Sequence, residues 1–199
     1  EIKRMKLDYL IVVGNTEITE RFVLKDHILT VRVDDKYEYL PHKVIITFDI
    51  INELYNYDYI IKTDDDCLLN LPKIINNYNY IKNHDYIGRL NNFKHEYNPT
   101  WNGLHNRSKY LGPYMNGATG YILSNKALTT ITKFKTNDEL LLLEVYEDKL
   151  IGDILRLNQY NFVYHHMWNS KPINISNLTD YNEFINDKIN KEYISFFEL

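Results

Sequence analysis

The chain has 199 residues, 44% of them hydrophobic, and a formal net charge of −4 at pH 7. This size predicts a single domain over residues 1–199 that ends in a polar tail over 167–199. The lysines and arginines are scattered singly and form no basic stripe, which excludes nucleic acid as an expected partner.

Strand-like and helix-like segments alternate along the chain, which predicts an α/β sandwich with a mostly parallel central sheet. Residues 7–13 are a continuous apolar run stopped by Gly14, as expected for a central strand that is buried on both faces. A second strand is predicted over 27–33. Apolar residues recur at helical spacing over 40–55, and residues 59–62 form the next predicted strand.

The rest of the chain continues this alternation without an internal repeat. A helix is predicted over 71–83 and a strand over 86–90, followed by a long polar loop over 91–113. Loops of this length in compact domains are usually functional or disordered. The remaining predicted elements are a strand over 120–123, helices over 125–134 and 146–157, and a last strand over 162–165.

The strand at 59–62 runs into three consecutive carboxylates, Asp64, Asp65 and Asp66. Adjacent acids repel one another, which favours a bound cation at this position. Mg²⁺ and Mn²⁺ take one or two protein carboxylates and complete their coordination with water and phosphate oxygens. Ligands of open α/β sheets also bind outside the carboxyl ends of the strands. The pattern therefore predicts a divalent metal that carries a diphosphate, with a solvated acidic turn as the alternative.

Two sequence motifs lie in the first third of the chain. Residues 62–66 fit a Lys-x-Asp-Asp-Asp element at the end of a strand. Residues 35–43 fit an Asp-x-Tyr-x-Asn-Leu-x-x-Lys pattern, except that Tyr39 replaces the asparagine.

Two further motifs follow in the second half. Residues 113–124 fit a motif of a glycine-rich turn followed by a strand, except that Ala118 replaces one of the glycines. Residues 147–152 fit a Glu-Asp-Val-x-x-Gly element with Lys149 in place of the valine. In this order, the four motifs resemble the inverting β-1,3-glycosyltransferases of the galactosyltransferase and Fringe type. The resemblance extends over about residues 9–166.

The resemblance implies a GT-A-type, Rossmann-like α/β/α sandwich that moves a sugar from a UDP-sugar to a hydroxyl of a glycan or glycoprotein acceptor, with inversion. It also implies Mn²⁺ or Mg²⁺, whose charge would stabilise the leaving diphosphate. Galactose, N-acetylglucosamine, N-acetylgalactosamine and glucose all remain possible donor sugars. The rich use of Asn, Ile, Lys and Tyr indicates an AT-rich genome, such as that of a large DNA virus or a protist.

The metal site implied by the resemblance combines acids and a histidine. Asp66 is expected to ligate the metal directly, and Asp64 to bind the ribose or a metal-bound water. Asp65 is expected to orient its neighbours. A histidine completes the site in related enzymes after the last strand, where this chain has His165 and His166. Adjacent residues of an extended chain point to opposite sides, so one of the two is the expected ligand, preferably His166.

Asp35, Lys43 and Lys62 are expected to bind the donor together with Asp64 and Asp65. A carboxylate at position 35 suits hydrogen bonding to uracil or ribose, and the lysines suit phosphate. The alternatives are an aspartate that caps a loop and surface lysines whose stems cover apolar atoms.

Asp148 is the predicted general base, because an inverting displacement needs one carboxylate to take the proton of the attacking hydroxyl. Glu147 precedes it at the start of a helix and cannot face the same way, so it is expected to orient a loop or bind acceptor. The alternative is that both acids merely favour the positive end of the helix.

The acceptor side is expected to include Gly117 and the aromatic residues Trp101, Tyr114 and Trp168, whose flat faces suit sugar rings. Core packing is the alternative for the aromatic residues. The loop over 91–113 is predicted to be a lid that orders when the donor binds and excludes water. A rigid surface excursion is the alternative.

Two other classes of protein remain open. The first is a catalytically inactive module that binds a sugar nucleotide or glycan on the same fold, and the retained acids argue against it. The second is a metal-dependent nucleotidyltransferase, which would release pyrophosphate and leave the motif at 147–152 without a role.

The single cysteine, Cys67, excludes an internal disulfide, and the sequence contains neither a signal core nor a run of about 20 uncharged apolar residues. These features favour the cytoplasm. The chain does not begin with Met, so excision from a longer protein is an expectation. A Golgi-type lumen is the alternative if an anchor has been removed.

Overall fold

The fold was obtained as a computed structural model that describes residues 7–65, 67–91, 100–101, 104–105, 108–134, 141, 143–164, 170–173 and 195–198. The strands are β1 (Ile11–Gly14), β2 (Phe22–Lys25), β3 (Ile28–Val31), β4 (Tyr59–Lys62), β5 (Cys67–Leu69), β6 (Tyr86–Gly88), β7 (Leu90–Asn91), β8 (Thr100–Trp101), β9 (Leu104–His105), β10 (Tyr114–Met115), β11 (Tyr121–Ser124), β12 (Val163–Tyr164), β13 (Ser170–Ile173) and β14 (Ser195–Glu198). The helices are α1 (Leu40–Leu54), α2 (Leu71–Asn76), α3 (Tyr78–Ile81), α4 (Asn125–Ile131) and α5 (Glu147–Leu157).

The N-terminal strands form a small sheet in the order β1-β3-β2, in which β1 and β3 are parallel and β2 and β3 antiparallel. One face of this sheet buries Leu29 and Val31 against Ile50 of α1. On the other face, Ile11 is 55% exposed. The prediction that the first strand is central and buried on both faces was therefore wrong. The hairpin strand β2 was not predicted.

The central sheet has the strand order β12-β6-β11-β4. Strands β6 and β12 are parallel, but β11 is antiparallel to both of its neighbours. A turn at Gly120, where φ is +77°, leads directly into β11. The prediction of one mostly parallel sheet is not confirmed, because the described strands form several small sheets with mixed pairing.

Helices cover both faces of the central sheet, so the protein has the predicted mixed α/β architecture. Alternate residues of β11 point to opposite faces. Leu123 packs into the core formed with α1, α4 and α5. Ile122 packs on the other side with Ile74 of α2 and Ile81 of α3.

Several predicted elements match the observed ones closely. Helix α1, strand β4 and helix α5 begin and end within one residue of their predicted bounds. The predicted helix over 71–83 is instead two short helices. The break falls at Asn77, whose side-chain amide donates to the carbonyl of Lys73 and competes with continuation of the helix.

The long loop and the polar tail contain more structure than the sequence predicts. Strands β7 and β10 pair antiparallel and join the two ends of the loop over 91–113, and β8 pairs with β9 within it. Strands β13 and β14 lie in the predicted tail and pair with each other, and β14 also pairs with β5, which lies far upstream in the chain. In the part of the chain that the structure describes, no helix combines the length and apolar character needed to cross a bilayer.

Candidate active site

The last residue of β4, Lys62, lies opposite the first residue of β11, Tyr121, in the register of the central sheet. The turn before Tyr121 approaches the backbone closely, since a Cβ on Gly120 would lie 2.9 Å from the carbonyl oxygen of Lys62. This close pairing places the end of β4 beside the beginning of β11.

A buried ion pair connects this strand end to helix α5. The Lys62 ammonium donates to Asp64 Oδ1 at 2.5 Å and to Glu147 Oε2 at 3.0 Å. The Tyr121 hydroxyl donates to the other oxygen of Glu147. Burial lowers the pKa of Lys62, but the charges of Glu147 and Asp64 outweigh burial and raise the pKa above its ordinary value. Lys62 is therefore a cation at any physiological pH.

The side chains of Glu147 and Lys62 are both largely removed from solvent. The side chain of Glu147 is 3% exposed and that of Lys62 is 13% exposed. Glu147 faces Lys62 and Tyr121 at the strand end, and its expected role in orienting a loop or binding acceptor stays a prediction. Tyr121 was not predicted as a site residue, although it lies within one of the four motifs.

The carboxylate of Asp148 lies between two backbone amides. Oδ2 accepts from Gly117 N at 3.0 Å, and Oδ1 accepts from Lys149 N at 2.8 Å. A Cβ on Gly117 would lie 3.1 Å from both Asp148 Cβ and Glu147 Oε2, which is tighter than most real contacts. The absence of a side chain at position 117 therefore lets the turn approach both acids.

Burial, and then the negative charge of Glu147, raise the pKa of Asp148 to about 7. The Gly117 amide and the positive charge of Lys62 act in the opposite direction. A carboxyl group with this pKa can gain and lose a proton near neutral pH, as a general base must.

Tyr37 is a further residue of this region that was not predicted. It lies in a 3₁₀ turn over Tyr37–Tyr39, just before α1. Burial raises the pKa of its hydroxyl, and the nearby charges of Asp148, Glu147 and Asp64 raise the pKa further. Tyr37 lies within the motif over 35–43, but a motif match alone does not reveal this proximity to the acids.

Asp35 and Lys43, two of the predicted donor residues, form an ion pair in which Lys43 Nζ lies 2.5 Å from Asp35 Oδ1. The pair lies beside the end of β1, since a Cβ on Gly14 would be 3.0 Å from Asp35 Oδ1. Asp35 is half-exposed, so its carboxylate is open to a ligand. Their binding of a nucleoside or phosphate stays a prediction.

Part of the predicted metal site lies within the described residues. Asp64 lies at the edge of the strand end with its side chain 36% exposed, and Asp65 is exposed in a turn. Asp66, His165 and His166 lie outside the described residues. Within the described ranges, no three His, Cys, Asp or Glu side chains come together as a metal-binding group.

The chemistry of the predicted donor set nevertheless fits Mg²⁺ or Mn²⁺, because carboxylate oxygens are the ligands these hard cations prefer. One oxygen of Asp64 already faces the Lys62 ammonium. The metal ligands stay a prediction, because Asp66 and both histidines lie outside the described residues.

The predicted acceptor residues have different outcomes. Tyr114 is 5% exposed and packs against Gly152, which corresponds to the core-packing alternative rather than to a sugar-facing ring. Gly117 contacts Asp148 through its amide. The side chain of Trp101 and the whole of Trp168 lie outside the described residues.

The fold and the site together define an α/β enzyme domain in which acids from a strand end and a helix start meet at the edge of a mixed sheet. The model of the Galactosyltransferase family matches residues 3–167. The chain therefore belongs to this family, and its domain is a glycosyltransferase domain. This membership confirms the resemblance carried by the four motifs. Comparison with curated proteins gave no significant match.

Proposed function

We propose that the protein transfers a sugar from a UDP-sugar to a hydroxyl of a glycan or glycoprotein acceptor, with inversion at the anomeric carbon. The proposal extends the family assignment to a GT-A-type fold and an inverting mechanism. The observation that supports it best is the Asp148 carboxylate, which two backbone amides hold in place and whose pKa is about 7.

The proposed reaction is a single displacement. The acceptor oxygen attacks the anomeric carbon as the bond from that carbon to the UDP oxygen breaks, and the Asp148 carboxylate takes the hydroxyl proton. The amides of Gly117 and Lys149 keep the carboxylate oriented during this transfer. The sugar leaves on the acceptor, and UDP departs with the bonding electrons.

Asp64 and Asp66, with His166 or His165, are the residues that would hold Mn²⁺ or Mg²⁺. The bound metal would supply positive charge for the leaving diphosphate. Lys62 holds Asp64 from one side, which fixes the direction of that carboxylate. Asp35 and Lys43 would bind the nucleoside and phosphate from the end of β1.

Release of UDP from a panel of UDP-sugars, measured with Mn²⁺ and after chelation, tests this proposal. We expect turnover of at least one donor that stops on chelation, and a loss of kcat of about 10²-fold or more in Asp148→Asn. Asp49→Asn is the matched control, because Asp49 is an exposed carboxylate of α1 that pairs with Arg21.

Three results would contradict the proposal. Turnover that continues unchanged after chelation would exclude the metal. Near-normal activity of Asp148→Asn would exclude this residue as the base. Metal-dependent UDP binding without turnover of any donor would instead indicate an inactive binding module.

A further inference from the structure

Lys149 is a charged residue with no exposed side-chain surface. Its ammonium lies 2.8 Å from Glu144 Oε2, 2.6 Å from Asp153 Oδ2 and 2.7 Å from Ser108 Oγ. The Ser108 hydroxyl in turn donates to Glu144 Oε2. We call Ser108, Glu144, Lys149 and Asp153 the Lys149 cluster. All four side chains are buried.

Burying three ionisable groups is not an effective way to gain stability, because the cost of removing charges from water can exceed their attraction. Apolar residues of similar size would often stabilise a protein equally well. The best-supported role of such clusters is to specify one arrangement of the chain. The question is therefore which arrangement the Lys149 cluster specifies.

The cluster joins two segments next to Asp148. Glu144 Oε1 accepts from the amides of Val145 and Tyr146, so Glu144 shapes the chain that leads into α5. Ser108 belongs to a separate segment, residues 108–117, which contacts the same helix at several further points. Lys149 holds these two segments together while its own amide donates to Asp148 Oδ1.

Residues 108–117 run along α5 and return to its beginning. Ser108 meets α5 at Lys149, Pro113 accepts a hydrogen bond from Arg156 near the other end, and Tyr114 packs against Gly152. The segment then ends at Gly117, whose amide donates to Asp148. Both ends of the segment therefore meet the first turn of the helix.

We propose that Lys149 is a positioning residue for Asp148, because it fixes residues 108–117 on the first turn of α5 and so brings the Gly117 amide to the Asp148 carboxylate. The inference rests on the proposed function of Asp148 in sugar transfer. The Lys149 side chain has no exposed surface, so its proposed effect on the reaction acts through Asp148.

Ser108→Ala is the mildest test, since it removes one connection of the Lys149 cluster and leaves Lys149 paired with two acids. We expect kcat to fall about tenfold while the UDP affinity measured by calorimetry stays unchanged. Hydrogen exchange of the Gly117 amide should become faster. Thr129→Ala, which removes an exposed hydroxyl from α4, is the matched control and should change none of these values.

The triple variant Glu144→Gln, Lys149→Met, Asp153→Asn separates positioning from stability, because it removes all charges of the cluster together. We expect a melting temperature near that of the wild type, with low kcat and fast exchange at Gly117. Wild-type kcat, or unchanged exchange at Gly117, in both variants would overturn the proposal. If the wild-type protein releases no UDP from any donor, the proposed function fails, and exchange at Gly117 still decides whether Lys149 positions Asp148.

Discussion

Two backbone amides hold Asp148, while burial and the charge of Glu147 raise its pKa to about 7. Only the ionised carboxylate can accept a proton. We therefore expect kcat to increase with pH below about 7 and then to level off. A pH–rate profile at saturating substrate measures this limb, and a kcat that stays constant from about pH 5.5 to 8 would contradict it.

Glu147 is expected to set part of this pH dependence. Its negative charge raises the pKa of Asp148, whereas the charge of Lys62 lowers it. Glu147→Gln should therefore move the acidic limb of the kcat profile to lower pH. Glu53→Gln, which changes an exposed carboxylate of α1, is the control. An unshifted limb in Glu147→Gln would show that the charge of Glu147 does not contribute to the pKa of Asp148.

The sequence identifies the acids at this site but not their partners. Adjacent residues of a helix point in different directions, which separates Glu147 from Asp148 without showing what either side chain meets. The pairing of Glu147 with Lys62 depends on the register of β4 and β11, and sequence spacing does not determine that register.

The two amide contacts of Asp148 also change how its Asn variant should be interpreted. Considered without the structure, Asp148→Asn is expected to preserve hydrogen bonding. In the structure both carboxylate oxygens accept from backbone N–H groups, so an amide NH₂ would face one of these donors. The variant therefore removes the charge and one hydrogen bond together.

At the scale of elements, α5 depends on close contact with β10. A Cβ on Gly152 would lie 2.4 Å from Tyr114 Cβ, a distance that real Cβ atoms do not reach. We expect Gly152→Ala to reduce the free energy of unfolding by about 1–3 kcal/mol because of this overpacking. Urea denaturation measures the change.

Whether Gly152→Ala raises or lowers the free energy of unfolding distinguishes overpacking from the usual effect of this substitution in a helix. In an open helix interior, replacing Gly by Ala stabilises by about 0.5–1 kcal/mol. A stabilised variant would show that α5 can move away from Tyr114 at no cost.

Element prediction succeeded where local pattern and tertiary environment agree. Helix α1 has a continuous apolar periodicity and Pro41 in its first turn, and both of its bounds were predicted to within one residue. Strand β5 has three residues, and its partner β14 follows more than 100 residues later. No local pattern indicates such a pairing, so the sheet formed by the predicted tail was missed.

At the scale of the whole molecule, the predicted loop over 91–113 divides into two parts. Its C-terminal part is attached to α5 through Ser108 and Pro113. We expect hydrogen exchange over 108–113 to be the same in the free protein and in the presence of metal and UDP-sugar. The lid prediction then concerns residues 92–107, most of which lie outside the described residues, and we expect protection there to increase when the donor binds.

Comparison of free and donor-bound protein by hydrogen exchange decides this division of the loop. Protection gained over 108–113 would contradict the attachment of this segment to α5. Equal protection of 92–107 in both states would contradict the lid and favour a rigid excursion.

Strand β11 lies between β4 and β6 in space but follows both of them in the chain. During synthesis, the central sheet therefore stays divided until residue 124 has emerged from the ribosome. Helix α5, which carries Glu147 and Asp148, emerges later still. A nascent chain contains Lys62 and Asp64 long before Glu147, the other partner of Lys62, has been synthesised. Truncated chains that end before α5 should therefore be inert, and assembly of the site is a late step in the synthesis of the protein.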